Sequence, residues 1–414
     1  MSSPVPQIQV RRRRVFYIPG YDPIHPRRYR ELYRKEGVLQ ARISGYEVNL
    51  KPKTTKGGPY GWHVVSTQAE KDVAADIDVL VWSDIVRDSM SSTIPATYLQ
   101  LVLTAWTYIM SGTLWRLMKL RKGPVIAALY PVGMLLLQLL LAVLLGWGVA
   151  SSVMLLDDHV PKLALRFAAL FLGLGAGIAV LRWFRARDGK LFAYYLMHDY
   201  AYSAKSAGAN PPELEARIAE FTDLVAEAVQ SDVDEVLIVG HSSGAHVGVS
   251  VLADLIRQGR VTADGPALGF LSLGQVVPMV SFLPDATRLR TDLQYLSTRD
   301  ELAWIDVSAP GDGCAFALCD PVTVSGVAPE GKRWPLVFSA AFTQTLSPER
   351  WAELRWRFFR LHFQYLCAFD RPGDYDYFRI TAGPLTLAER YHDRAPSKSR
   401  IEVAVSKYTA VAAP

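Results

Sequence analysis

Residues 235 to 256 read EVLIVGHSSGAHVGVSVLADLI. Val236, Leu237, Ile238 and Val239 form a short apolar run without polar alternation, the pattern of a strand buried on both faces. Val247, Val251, Leu252, Leu255 and Ile256 then recur at helical spacing. Between the two lies Gly240-His241-Ser242-Ser243-Gly244, a G-x-S-x-G pentapeptide. In a chain of 414 residues the pentapeptide alone carries little weight; its position at a strand-to-helix turn gives it meaning. A turn this sharp holds the serine in a strained backbone conformation, and Gly240 and Gly244 lack the side chains that would collide there. The Ser242 hydroxyl is then presented at a helix N-terminus, whose dipole favours developing negative charge. The competing reading is a glycine-rich turn without a nucleophile.

Outward from this stretch, similar apolar runs occur at 15–18, 79–82, 268–273, 302–307 and 336–342. Helical segments fall between them. The clearest starts with Asn210 as N-cap and Pro211 as first helical residue, and carries a stripe of Leu214, Ile218, Phe221, Leu224 and Val225. Such alternation predicts an α/β fold with a doubly wound, mostly parallel sheet.

A hydrophobic fraction of 50% with 21% charged residues is near the soluble average, yet the mean hydropathy of +0.11 requires apolar sequence to be concentrated somewhere. It is concentrated at 125–156, VIAALYPVGMLLLQLLLAVLLGWGVASSVMLL, which holds no charged residue, and at 163–184, interrupted only by Arg166 and Arg182. About 20 helical residues cross a bilayer, so an inserted two-helix transmembrane hairpin is expected, with helices near 125–150 and 163–184 and an acidic turn at Asp157, Asp158 and His159. A buried hairpin of a large soluble protein fits less well, because both outer flanks are basic: Arg116, Lys119, Arg121 and Lys122 before, Arg182, Arg185, Arg187 and Lys190 after. These flanks suit anionic headgroups and predict an inner-membrane protein with both termini and the catalytic part cytoplasmic. The segment 98–120 reads either as an interfacial helix or lid, or as an amphipathic packing helix. The chain divides accordingly into 1–94 and 191–395, two parts of one α/β domain, with the insertion at 95–190 and a tail at 396–414.

Net charge is +5, too small and too scattered an excess for nucleic acid to be the main partner. The run Arg11 to Arg14 reads as a headgroup contact or as a solvated charge run. Three cysteines, Cys314, Cys319 and Cys367, offer neither a disulfide framework nor metal-ligand spacing, and no cleavable secretion signal is expected at the N-terminus.

The residues VGHSSGAH resemble the nucleophile elbow of the α/β-hydrolase superfamily, and the strand-helix rhythm over 15–94 and 191–370 is similar to it. The resemblance implies a serine nucleophile, then an acid after a late strand, then a histidine after the last one. Asp306, Asp312 and Asp320 compete for the acid; Asp312, in a loop flanked by Gly311 and Gly313, is preferred. His362 and His392 follow the acid; His362, among the aromatics of FFRLHFQY, is preferred as base. His246 and His198 read as packing residues. The implied oxyanion hole uses the amides of Ser243 and of Tyr21, in VFYIPGYDP, where Pro19 stands at the position of the histidine common in the superfamily. The expected function is a membrane-anchored serine hydrolase acting on carboxylic esters, acyl lipids in particular, with no metal or organic cofactor implied. Alternatives are an acyltransferase using the same residues and a catalytically silent membrane-bound interaction module.

Overall fold

Most of the apolar runs become strands of one sheet. In chain order the strands are β1 (Arg12–Ile18), β2 (Glu47–Pro52), β3 (Gly61–Gln68), β4 (Lys71–Val79), β5 (Glu235–His241), β6 (Ala267–Leu273), β7 (Leu302–Ser308) and β8 (Leu336–Ser339). The computed structural model describes residues 9–53, 57–90, 93–156 and 161–412. The strands form one sheet in the order β2-β3-β4-β1-β5-β6-β7-β8. From β4 to β8 every pairing is parallel, while β2 and β3 add an antiparallel hairpin at one edge.

Three expectations need correction. The run at 79–82 is the end of β4 and the entry to a helix: Val79 closes the strand, and α2 (Ser83–Ser89) follows. The run at 336–342 stops pairing at Ser339, because the chain turns at Ala341 with φ +48°. The well-marked helix is capped by Pro211 in extended conformation, with Asn210 instead donating its side-chain amide to Glu215 at 2.8 Å.

Helices cover both faces of the sheet. The helices α1 (Arg27–Ser44), α9 (Pro212–Val229) and α10 (Gly244–Arg257) take the largest part. Alternation along β1 sends Phe16 and Ile18 into the core under α9 and α10, and Val15 and Tyr17 into the core under α1. The chain leaves β1 toward one edge of the sheet, to β2, and leaves β5 toward the other, to β6, so the crevice beyond the carboxyl ends of these two strands is the topological switch point where open α/β sheets bind ligands. The basic run at 11–14 is mostly part of β1. Arg13 is only 1% exposed, pairs with Glu235 and donates to the carbonyls of Gly383 and Leu385, which a headgroup contact could not permit.

Between α2 and α9 the chain forms α3 (Ile94–Met110), α4 (Thr113–Leu120), α5 (Lys122–Met154), α6 (Lys162–Ala186), α7 (Asp188–Leu191) and α8 (Ala193–Lys205). The segment 98–120 is thus two helices, divided at Ser111 and Gly112. Helix α3 turns Leu101, Thr104 and Tyr108 inward and leaves Leu99, Val102, Leu103, Trp106, Ile109 and Met110 exposed. Helices α5 and α6 are each long and apolar enough to cross a membrane, and most of their apolar side chains are exposed. The acidic turn at Asp157, Asp158 and His159 lies outside the described residues.

The two long helices pack through small residues: Gly146 lies backbone to backbone against Gly173, and Gly177 against Ala142. Extending that antiparallel register puts Gly133 level with Ala186 and Met154 level with Leu165. The paired stretch is then about 22 residues, or roughly 33 Å, close to the ~30 Å of bilayer hydrocarbon. The first turns of α5 project beyond α6 onto the α/β domain, where the Tyr130 hydroxyl donates to the Leu191 carbonyl at 2.7 Å. Two of the basic flanking residues serve as tethers here: Arg116 donates to the Val405 carbonyl and Arg121 to the Ala317 carbonyl.

A β-carbon on Gly146 would lie 2.7 Å from the Gly173 carbonyl oxygen, whereas one on Gly175 would meet nothing within 4 Å. Gly146→Val is therefore expected to lower stability in detergent by ~1–3 kcal/mol, read as a lower melting temperature, and Gly175→Val to leave it nearly unchanged. Equal effects of the two substitutions would contradict the register.

Candidate active site

The turn after β5 is governed by crowding. A β-carbon on Gly244 would lie 2.1 Å from the Ile18 carbonyl oxygen and 2.6 Å from that of Pro19, so only glycine permits α10 to start so close to the end of β1. The cost appears one step earlier: Ser242 has φ +57°, a left-handed conformation that non-glycine residues rarely adopt. Its amide donates to the Leu273 carbonyl at 2.9 Å, which ties the strained residue to the end of β6. Gly20 packs on the other side, where an added β-carbon would sit 3.4 Å from the Ser242 hydroxyl oxygen.

His362 closes the helix Phe358–His362 and is 6% exposed. Its Nδ1 lies 2.7 Å from Oδ2 of Asp312, which is 2% exposed in the loop after β7. The same Oδ2 accepts the Tyr365 hydroxyl at 3.0 Å, and Oδ1 accepts the Cys314 amide at 2.9 Å. Burial pushes the Tyr365 phenol far above its ordinary range, and the Asp312 charge adds to this, so Tyr365 remains a donor. Tyr365 also accepts the Ala309 amide at 2.9 Å, which fixes its ring. From the other side His241 Nε2 donates to the His362 carbonyl at 3.0 Å, and the two imidazole rings lie 4.8 Å apart. Burial, then the neighbouring His362, pushes His241 well below the ordinary histidine range, so it stays neutral. His241 and Tyr365 are positioning residues that sequence reasoning did not single out. His241 is an unassigned position of the pentapeptide, and Tyr365 follows His362 by three residues, a helical neighbour spacing.

Ser242, Ser243, His362, Gly20 and Tyr21 line one cavity of about 680 Å³. Elements around the long hairpin complete its wall: Tyr108 from α3, Pro124 from α5, Asp188 from α7, and Tyr195 and Asp199 from α8. Asp199 is a second carboxyl in this cavity. Burial raises it to about 7, and the charge of His362 pulls the other way. No sequence motif marks it. His246, in the first turn of α10, also lines the cavity, and burial lowers it to about 4.

The remaining candidates lie apart from this arrangement. Asp306 is fully buried within β7 and bonded to Ser272 at 2.7 Å. Asp320 caps the helix Pro321–Val324 and pairs with Lys332. His392 is largely exposed and its partner is Asp393. His198 is buried on α8 and lines a separate groove with Asp84 and Arg217. The Ser243 amide stands at the N-terminus of α10, but the Tyr21 amide is engaged, donating to the Ser243 hydroxyl at 3.3 Å.

Asp312, Cys314 and His362 also bring possible metal-ligand atoms within 4.8 Å of one another. Both Asp312 oxygens are already committed, and burial together with the Asp312 charge holds Cys314 as the neutral thiol, a poor ligand. The group fits an oriented imidazole better than a metal centre. Comparison with protein-family models, curated proteins and solved structures gave no match, so the chemistry is argued from the geometry alone.

Burial raises Asp306 to about 8, against ~3.9 for an unfolded aspartate. A raised carboxyl is most stabilising while protonated, so its contribution is whole below pH ~4 and is lost as pH rises toward 8. Denaturant midpoints of the native protein should fall more steeply across that window than those of Asp306→Asn. Parallel curves would mean that Asp306 is charged at neutral pH.

Proposed function

We propose that this protein is a membrane-anchored serine hydrolase of the α/β-hydrolase type that cleaves carboxylic esters carried by lipids. The observation that carries this reading is a left-handed serine at a strand-to-helix turn, sharing a cavity with a carboxylate-bound imidazole. With Nδ1 held by Asp312, Nε2 is the basic nitrogen of His362. It takes the proton of Ser242 as the hydroxyl oxygen attacks the ester carbonyl, and returns that proton to the departing alcohol. Water, deprotonated by the same nitrogen, then cleaves the acyl-enzyme to the free acid and restores the serine. The Ser243 amide and the N-terminus of α10 stabilise the oxyanion, and rotation of the Ser243 hydroxyl releases the Tyr21 amide as second donor. Confinement to a bilayer favours acyl lipids as substrates, and the basic outer flanks of the hairpin put the catalytic domain on the cytoplasmic side.

Ser242→Ala should abolish labelling by a fluorophosphonate probe while melting temperature and membrane extraction stay unchanged. Labelling that survives would remove Ser242 from the chemistry. His362→Ala should lower turnover of a short-chain ester by ~10³-fold or more, and Asp312→Asn should follow it closely, whereas His392→Ala should be neutral. For orientation, Leu156→Cys should react with an impermeant maleimide in intact cells; reaction only after lysis would invert the topology.

A further inference from the structure

After the helix Pro348–Leu354 the chain reads Arg355-Trp356-Arg357-Phe358-Phe359-Arg360, six exposed residues, before the buried Leu361 and His362. Trp356 is 73% exposed, Phe358 47% and Phe359 40%, values that cost solvation free energy for an aromatic trio in water. Alternation of arginine with large aromatics is the composition of an interfacial segment. Aromatic rings favour the headgroup level, and guanidinium groups pair with lipid phosphate. Over 349–360 four arginines face two glutamates, and Glu353 is shared by Arg350, Arg357 and Arg360, so the surface stays cationic.

Its place relative to the hairpin is defined. The Phe359 ring packs at a tilt against Phe192, 5.6 Å between centroids, and Phe192 follows Leu191, the acceptor of the Tyr130 hydroxyl. Tyr130 lies three residues before Gly133, where the paired part of the hairpin ends, so this contact sits ~5 Å outside the hydrocarbon, within the headgroup layer. Phe359, Arg360 and Phe192 are exposed and also line the Ser242 cavity, and therefore mark its mouth.

We infer that residues 355–360 dock on an anionic phospholipid surface, and that the cavity consequently opens at headgroup depth and receives a lipid-borne ester directly from the leaflet. The inference rests on the hairpin spanning the bilayer; its docking part is independent of catalysis. Charge complementarity and continuity with the spanning helices identify the bilayer as the partner.

The test uses the full-length protein in nanodiscs, with an environment-sensitive fluorophore placed by Trp356→Cys, Leu144→Cys or Arg260→Cys in a Cys314→Ser, Cys367→Ser background. Nitroxide-labelled phosphatidylcholine is the quencher. Leu144 lies inside the hairpin, and Arg260 lies between α10 and β6, at the end of the sheet where the parallel strands begin and away from the cavity. Labels at Leu144 and Trp356 should lose fluorescence, that at Arg260 should not, and the loss at Trp356 should grow as phosphatidylglycerol replaces phosphatidylcholine. Adding Arg355→Glu and Arg357→Glu should remove this growth. Quenching at Leu144 without quenching at Trp356 would overturn the docking inference and leave membrane anchoring intact. Quenching at neither would overturn both.

Discussion

Close approach of two backbones, the carbonyls of Ile18 and Pro19 against the α-carbon of Gly244, is the constraint on which the rest of the site depends. It lets α10 begin directly over the end of β1, which leaves Ser242 no room in the right-handed regions and turns its hydroxyl outward. The same contact brings Gly20 and Tyr21 beside Ser242, so the loops after β1 and β5 meet where the sheet's chain order diverges. A side chain at residue 244 would separate them and dissolve the cavity floor.

Around that floor several polar groups are allocated to specific partners. Asp312 serves the imidazole, a phenol and an amide; His241 holds the His362 backbone; Ser272, not His362, takes Asp306. Each assignment follows from burial, since a polar group without water must find a partner in the protein. The cavity differs from its floor in origin. Its far wall comes from α3, the start of α5, α7 and α8, so a helix long and apolar enough to cross a membrane also helps to enclose the cavity.

The parts legible in the sequence were those written in short, contiguous patterns. The parallel strands β1 and β5 to β8 announced themselves as apolar runs, β4 only through its last residue, the Ser242 turn as two glycines between such a run and a helical stripe, and the hairpin as uncharged length. The edge strands β2 and β3 did not, because β3 alternates buried with half-buried positions and places His63 and Ser66 between its apolar residues. Asp312 and His362 were reachable by chain order, yet 50 residues separate them and only folding shows that they meet. Asp199 was illegible because it belongs to no local motif, and Tyr365, although three residues after His362, carried no sign of its bond to Asp312; the chemistry of both is conferred by what surrounds them. The basic run at 11–14 misled because charge in a sequence reads as surface, while Arg13 is neutralised in the core by Glu235 from a neighbouring strand.

Helix α5 runs without interruption from the cavity wall into the apolar stretch paired with α6, and Pro131 stands where those two portions join. Proline has no N–H to give to the carbonyl of Ala127 and crowds the preceding turn, so the helix is softest at this level. Pro124 and the neighbouring Gly123, which abuts Gly313 beside Asp312, lie on the protein side of that soft point. Under the proposed anchoring, bending and tilting of the apolar portion in bilayers of different thickness would be taken up at this point before reaching the carboxylate. The proline would then serve as a mechanical joint between an ångström-scale hydrogen-bond geometry and the membrane proposed to carry it.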